Sequence, residues 1–545
     1  LKGEHDMGSR FKKILSRREG IEAFGGTTKA SVEGTTHTVR QEELTAFSLW
    51  INRNLQDDED CKKYLMLNPE TRDLYQKCQD GILFCKMINK SQPDTIDERT
   101  INKGKLSIYQ KHENLTLALN SAQSIGCNIV NIGPEDLQQG KPHLVLGLLW
   151  QIIRIGLLAD INLHENPNLA ALLRDGESLE DFMALSPEQI LIRWVNYHLE
   201  RSSCGRQISN FQSDIKDSVA YIHLLHQIAP RDAGVTTTAE NEPDLRERAE
   251  RMLQEANKME CRAFVSPDDV VAGNYKLNLA FVANLYNMYP SLDTPEDFDI
   301  GEIHEETREE KTYRNWMNSM GVSPYVNHLY SDLTNGLIIF QLYDIIKPGM
   351  VDWNKVIQKF NKMRMLMEKI GNCNYAVDLG KQCKFSLVGI AGKDIYDGNE
   401  TLTLALVWQL MKAYTLSILT KLAGDETGHP IVEKEIVAWA NDKLKSAGKT
   451  SHITGFNDQS ISDAVVVIDL VDSIKRGSVN YDMVKKASTE QEKLDNAKYA
   501  ISMARKIGCR VYALPEDIIE VKAKMVMTVF ACLMIKDYQP QEQKK

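Results

Sequence analysis

The chain has 545 residues, 43% of them hydrophobic, and a formal net charge of −10. That length suits three or four domains with ordinary cores, and the acidic balance argues against wholesale nucleic-acid binding, which needs a basic domain. Ten cysteines are scattered singly with no Cys-x-x-Cys spacing, which gives no support to zinc ribbons or thioredoxin-type chemistry and suits a reducing compartment.

The first residue is Leu1 rather than Met, as in a fragment, and no signal peptide is visible. Residues 1–38 read as a flexible basic segment. Arg10, Lys12, Lys13, Arg17 and Arg18 surround Phe11, Ile14 and Leu15, and a Gly/Thr-rich run follows at 25–28. A solvated tail and a basic amphipathic segment for an acidic partner are both open here.

A first helix is predicted around Leu44, Phe47, Ile51 and Leu55, with Trp50 on the same face. Trp50 is followed two residues later by Asn52, and that pair recurs as Trp194/Asn196, Trp316/Asn318 and Trp439/Asn441. Each copy continues with an Asp or Asn (Asp80, Asp217, Asn335, Asp463) opening a short, very apolar helix. That side chain is expected to accept hydrogen bonds from free backbone N–H groups. Val465 to Ile468 alone would pass as a strand, but the same slot elsewhere carries helix formers such as Lys86 and Met87.

Each copy closes on a turn that holds Asp136, Asp269, Asp394 or Asp517. Pro134, Pro267 and Pro515 mark helix starts there, and Gly392 replaces the proline in the third copy. The final helix then places Trp150, Ala283, Trp408 and Ala531 at one fixed distance from those acids. One folded unit therefore occurs four times, and the Trp-Ala-Trp-Ala alternation marks a duplicated pair. Two copies of a two-domain unit carry two copies of its binding site, which points to cross-linking. The apolar run Leu144 to Ile153 is too short to span a membrane and reads as a buried helix.

The expected organisation is all-α. A domain over 39–160 and a linker over 161–186 precede a second domain over 187–290. An acidic linker over 291–308 follows, with Asp293, Glu296, Asp297, Asp299, Glu302, Glu305 and Glu306. The third domain covers 309–418, a linker 419–429, the fourth domain 430–538 and a tail 539–545. Trp50, Trp150, Trp194, Trp316, Trp408 and Trp439 are expected in the cores.

Glu43-x-x-Ala46-Phe47-x-x-Trp50-x-Asn52 resembles the first actinin-type signature of calponin-homology domains, and Glu309-x-x-Thr312-Tyr313-x-x-Trp316-x-Asn318 resembles it again. The stretches from Ile129 to Ile153 and from Leu387 to Met411 resemble the second signature. Repeats two and four lack the opening signature, as does the second member of a tandem actin-binding domain. Two tandems in one chain resemble the fimbrin/plastin family over nearly all the sequence. The fold implied is four calponin-homology domains arranged as two tandem actin-binding domains, and the function implied is binding and bundling of filamentous actin by a cytoplasmic monomer of the actin cytoskeleton.

Family members often carry N-terminal EF-hands. The nearest match here, Asp297-x-Asp299-x-Gly301, brings its glycine one residue early and reads as linker, so calcium control has no support and no cofactor or metal is expected. The resemblance places actin contacts on the first and last helices of each leading domain and the loops beside them. The exposed candidates are Glu42, Ser48, Arg53, Lys103, Lys105, Lys111, Lys141, His143 and Arg154 in the first tandem, and Arg314, Lys359, Lys362, Lys393 and Lys412 in the second. Taken singly, each lysine also fits a solvated surface charge.

The rival readings are an actin decorator with one active and one regulatory tandem, and a scaffold for microtubules or signalling proteins. An enzyme has little support. Gly389-x-x-Gly392-Lys393 is too short for a phosphate loop, His304-Glu305-Glu306-Thr307-Arg308 lacks the second histidine of a zinc protease, and no Gly-x-Ser-x-Gly elbow occurs.

Overall fold

Four principal helices recur in the same order in each repeat. A computed structural model describes residues 33–299, 301, 304–424 and 429–540; the basic cluster Arg10 to Arg18 lies outside the described residues, as do residues 541–545 of the predicted tail. Repeat one has α1 (Glu33–Leu55), α2 (Ile82–Ser91), α3 (Ile108–Ser124) and α4 (Pro142–Leu158). Repeat two has α5 (Pro187–Ser202), α6 (Val219–Ile228), α7 (Leu245–Lys258) and α8 (Tyr275–Met288). Repeat three has α9 (Arg308–Ser319), α10 (Leu337–Ile346), α11 (Met365–Gln382) and α12 (Glu400–Ala423). Repeat four has α13 (Glu433–Ser446), α14 (Val465–Ile474), α15 (Glu490–Ile507) and α16 (Ala523–Tyr538). No strand occurs among the described residues, and Val465 to Ile468 are helical.

Helix α1 starts at Glu33, so residues 33–38, assigned above to the flexible segment, are helical. Once Leu44 and Phe47 are docked in the core, upstream propagation adds one backbone hydrogen bond per residue without a new nucleation cost.

The recurring polar residues hold the turns. Asp80, Asp217, Asn335 and Asp463 each accept the backbone N–H two residues on, at 3.0 to 3.1 Å. The residue between is left-handed each time: Gly81, Ser218, Gly336 and Ala464. Asp136, Asp269, Asp394 and Asp517 each reach back to the N–H three residues earlier, at 2.8 to 2.9 Å. That reciprocal bond closes the helix N-terminus from outside.

Repeats one and two share one hydrophobic core, and repeats three and four share another. Trp194, Trp316, Trp150 and Trp408 are buried in them. Trp50 and Trp439 are only half-buried, a correction to their expected core placement. Trp50 packs on Phe264 of repeat two with ring centroids 4.5 Å apart, and Trp439 keeps its indole N–H on Asp537 at 2.8 Å. An indole with one wet edge needs only partial burial.

The most membrane-like helix by length and composition is α12 rather than the Leu144 run. Leu406, Val407, Trp408, Leu410 and Met411 bury its middle in the second core, and it packs along α16, as a core helix does.

The two tandems dock through α3 of repeat one against α15 of repeat four. Asn120 donates to Arg505 O at 3.0 Å, Arg505 to Thr95 O at 3.1 Å, and Lys506 to Asn102 Oδ1 at 2.9 Å. Burial lowers the Arg505 pKa to about 10, and two main-chain carbonyls, Thr95 O and Val511 O, take up its guanidinium hydrogens. The strap between the tandems is pinned where it meets repeat three. His304 Nε2 lies 3.0 Å from Glu310, Arg314 pairs with Glu306 at 2.9 Å, and Thr307 caps α9.

Candidate functional site

The predicted contact residues divide by what docks on them. Arg53, Lys103, Lys105, Lys141 and His143 are exposed on repeat one, with Lys111 half-buried. Lys359, Lys362 and Lys393 are exposed on repeat three. Two of these cations already have surface partners: Lys103 meets Asp60 at 2.9 Å and Lys141 meets Asp136 at 2.6 Å. Lys141 holds the Asp136 carboxyl below its usual range. Such exposed pairs contribute little to stability and exchange readily with an incoming partner.

Five of the candidates are not on open surface. Ser48 is fully buried. Arg154 is 8% exposed; it pairs with Glu188 of repeat two and lies 5.0 Å over the Tyr325 ring of repeat three. Glu42 is half-buried against Asp269 and Asn274 of repeat two. Arg314 is half-buried on Glu306, and Lys412 is half-buried on Glu433 of repeat four at 3.1 Å. Polar positions on an isolated helix are solvated. Here other domains and the strap cover those same faces, and a guanidinium or carboxyl at a seam is the pairing group of that seam.

Composition and charge did not reveal the exposed apolar residues. Ile108, Tyr109 and Val130 are 74%, 55% and 58% exposed, and Leu366, Met367 and Val388 are 55%, 76% and 95% exposed. Each member of the second set lies 258 residues after its counterpart, the spacing that also separates Asp136 from Asp394 and Trp150 from Trp408. Met363, 95% exposed, extends the second set. Lys105 and Lys111 flank the first set in sequence; Lys359, Lys362 and Lys369 flank the second. Lys475 of repeat four covers the Tyr109 ring at 4.7 Å.

Repeat four does not share this pattern. The slots of Ile108 and Tyr109 hold Glu490 and Gln491, and the slot of Val130 holds buried Val511. Exposed apolar side chains beside cations match the composition of protein-docking surfaces, and Met adapts to an irregular contact. The signal in the sequence was an apolar pair at the start of a helix, ahead of the apolar stripe that enters the core.

Nothing in the described residues assembles a reactive constellation. All ten cysteines are unpaired, and burial pushes the Cys61 and Cys85 thiols up to about 12, far from a thiolate nucleophile. His304, Glu310 and Glu400 lie close enough to share an ion. Both ring nitrogens of His304 already face carboxylates, at 3.0 and 3.5 Å, and Tyr330 donates to Glu310 at 2.8 Å. This is a hydrogen-bonded anchor for the strap.

The calponin homology (CH) domain model matches residues 41–157, 185–291, 307–416 and 430–538. Human plastin-3 is 58% identical over 541 residues, which are 97% of this chain and 85% of that protein. Mouse plastin-1 and zebrafish plastin-2 are each 56% identical with the same coverage. The crystal structure of the actin-crosslinking core of Schizosaccharomyces pombe fimbrin matches with a TM-score of 0.77 at 41% identity, covering 91% of this chain and 99% of that one. Four CH domains in two tandems, related to plastins over almost their whole common length, mean that this chain belongs to the fimbrin/plastin family.

Proposed function

We propose that the chain binds filamentous actin with each of its two tandems and bundles filaments as a single molecule. The observation that carries this reading is the duplication: the same exposed apolar residues, among cations, on repeats one and three of a chain whose halves are docked together. Its resemblance to a fimbrin core described as actin-crosslinking supports it. The cationic contacts are Arg53, Lys103, Lys105, Lys111, Lys141 and His143 on one tandem, and Lys359, Lys362 and Lys393 on the other. They complement an acidic filament surface. Arg154, Arg314 and Lys412 join only if the seams that cover them part. The work is done by geometry, without a catalytic step: two sites on one body hold two filaments at a set distance. The same two sites on one filament would instead raise avidity by about 10² to 10⁴. The protein acts in the cytoplasm as a monomer of the actin cytoskeleton.

Sedimentation of the full chain with actin tests this at two speeds. Leu366→Asp with Met367→Asp should leave filament binding in the high-speed pellet and abolish the low-speed pellet of bundles. Ile108→Asp with Tyr109→Asp should do the same, and all four together should abolish binding. A chain that still bundles with one pair replaced contradicts the bivalent reading. A chain that binds without bundling, and loses binding when one pair alone is replaced, is a decorator with a single active tandem.

A further inference from the structure

The two tandems close their internal seams with opposite chemistry. In the first, Glu42 on α1 faces Asp269, the residue that caps the short helix Pro267–Ala272 of repeat two. Asp269 is 2% exposed. Its Oδ2 accepts from the Ser266 backbone N–H at 2.8 Å and from the Ser266 hydroxyl at 2.9 Å. Its Oδ1 is buried, and no N–H or hydroxyl donor among the described residues reaches it. Asn274 donates to Glu42 Oε2 at 3.3 Å.

The remaining charges nearby do not neutralise the pair. Asp268 adds a second negative charge and is engaged by Arg246 at 2.8 Å. Lys276 goes to Glu43 at 3.5 Å. No Lys, Arg or His among the described residues forms an ion pair with Glu42 or Asp269. Two carboxyl groups in contact can share a hydrogen bond only if one of them keeps a proton.

The second tandem has a different residue in that place. Arg308 stands 266 residues after Glu42, as Trp316 stands after Trp50. Its Nε donates to Asp517, the counterpart of Asp269, at 2.9 Å, and its guanidinium also pairs with Glu520. An acid–acid seam in one tandem is an arginine–acid seam in the other.

We propose that the Glu42–Asp269 pair is a proton-dependent latch between the domains of the first tandem, absent from the second, so that rising pH loosens the first tandem and changes its grip on actin. The coupling to actin rests on the function proposed above; the latch itself does not. Burial, with Asp269 beside it, holds the Glu42 carboxyl up at about 8 against an ordinary 4.5. The closed seam therefore keeps a proton that the open seam releases. Closure is fully favoured below about 4.5, weakens as pH rises by at most about tenfold per unit, and falls no further above about 8. The Trp50–Phe264 contact spans the same two domains, so loss of the proton loosens the seam without dissolving it.

Hydrogen exchange of the full chain at pH 6 and pH 8 tests the latch, with residues 514–522 as the internal reference for residues 266–274. After correction for the intrinsic pH dependence of exchange, protection of 266–274 should fall at least threefold relative to 514–522. Glu42→Gln, whose amide can donate at any pH, should remove that fall, and so should Glu42→Arg, which copies Arg308. Parallel protection in the two segments, or a fall that persists in Glu42→Gln, overturns the latch. Actin sedimentation at the two pH values follows, in a chain whose second tandem is silenced by Leu366→Asp and Met367→Asp. The change in affinity between the two pH values should be at least threefold larger with Glu42 in place than with the E42Q substitution added. If exchange reports the latch but affinity tracks the E42Q chain, the coupling is overturned and the latch stands. If neither chain binds at either pH, the function proposed above fails, and the coupling with it.

Discussion

Asn52 grips Leu67 by both main-chain groups: its Nδ2 donates to Leu67 O at 2.9 Å and its Oδ1 accepts Leu67 N–H at 2.7 Å. The same two-bond clamp joins Asn196 to Ile208, Asn318 to Val326 and Asn441 to Ile453, with every bond between 2.8 and 3.0 Å. The asparagine two residues after each tryptophan thus satisfies both main-chain groups of a buried loop residue that lies outside any helix. Replacing Asn318 by Ala leaves a buried N–H and C=O of Val326 unsatisfied and should cost about 2–4 kcal/mol. Denaturant unfolding of the second tandem would detect it. A loss under about 0.5 kcal/mol would mean that water replaces the clamp.

The left-handed residue ahead of each second helix gives a paired test. At Gly81, with φ +81°, an added Cβ would stand 2.8 Å from the backbone of Asn114. Gly81→Ala combines strain with a clash against main chain and should destabilise repeat one by about 2–4 kcal/mol. Ala464 occupies the same turn in repeat four at φ +64°. Ala464→Gly should stabilise by up to about 1 kcal/mol, a gain offset in part by the greater freedom of glycine in the unfolded chain. Opposite signs of change in melting temperature are expected, and equal signs would show that the turn is not what constrains these positions.

Lys86, read from the sequence only as a helix former, is a buried cation with three acids around it: Asp60 at 2.8 Å, and Asp58 and Glu98 at 3.0 Å. The hydrogen bond from Lys86, with Lys103 adding to it, holds the Asp60 carboxyl below its ordinary 3.8. A depressed carboxyl adds stability above its ordinary value, and that stability is lost as pH falls through the folded value. Lys86→Met leaves three acids without their shared cation and should cost about 2–4 kcal/mol at pH 7. The deficit should shrink in acid as the carboxyls protonate. A deficit of the same size at pH 3 and pH 7 would assign the loss to packing rather than charge.

What the sequence disclosed was local. The turn-opening Asp and Asn residues bond two residues on and the capping acids three residues back, so their spacing survives in every repeat and can be read directly. The clamps span 15, 12, 8 and 12 residues, so only the Trp-x-Asn end of each is legible in the sequence. A second bracket was missed because its two ends are far apart. Asn114, Asn372 and Asn496 each bond back to the turn that opens the second helix, on Asp80, Asn335 and Asp463, at 3.0 to 3.2 Å, and in repeat two Arg248 reaches Asp217 O instead, at 3.2 Å. The seams were missed for the same reason. Whether Glu42, Arg154 or Lys412 faces water depends on which domain docks on it, and no helical periodicity encodes that. The opposite charges of Glu42 and Arg308 were visible by aligning the tandems, but their meaning required Asp269 and Asp517 beneath them.

Pro290 joins the second domain to the strap, and its carbonyl accepts two buried donors, Trp194 Nε1 at 2.8 Å and His198 Nε2 at 3.3 Å. His198 is 3% exposed, and Trp194 and Tyr197 present their rings edge-on to it. Burial lowers its pKa from 6.5 to about 4, with Arg201 adding to the effect. The folded domain therefore holds a neutral imidazole that the unfolded chain protonates more readily. Stability from this group is full above about 6.5 and is lost as pH falls towards 4. Between pH 6.5 and pH 5 the second domain should lose about 2 kcal/mol to this residue. His198→Phe keeps an aromatic ring in the slot and leaves Trp194 on the Pro290 carbonyl, so it should flatten the acid limb while lowering stability at neutral pH. Hydrogen exchange of α5 at pH 5 and pH 7, corrected for the intrinsic rate, reads this domain separately from the other three. An unchanged acid limb in the variant would shift the pH sensitivity of this domain to its carboxylates.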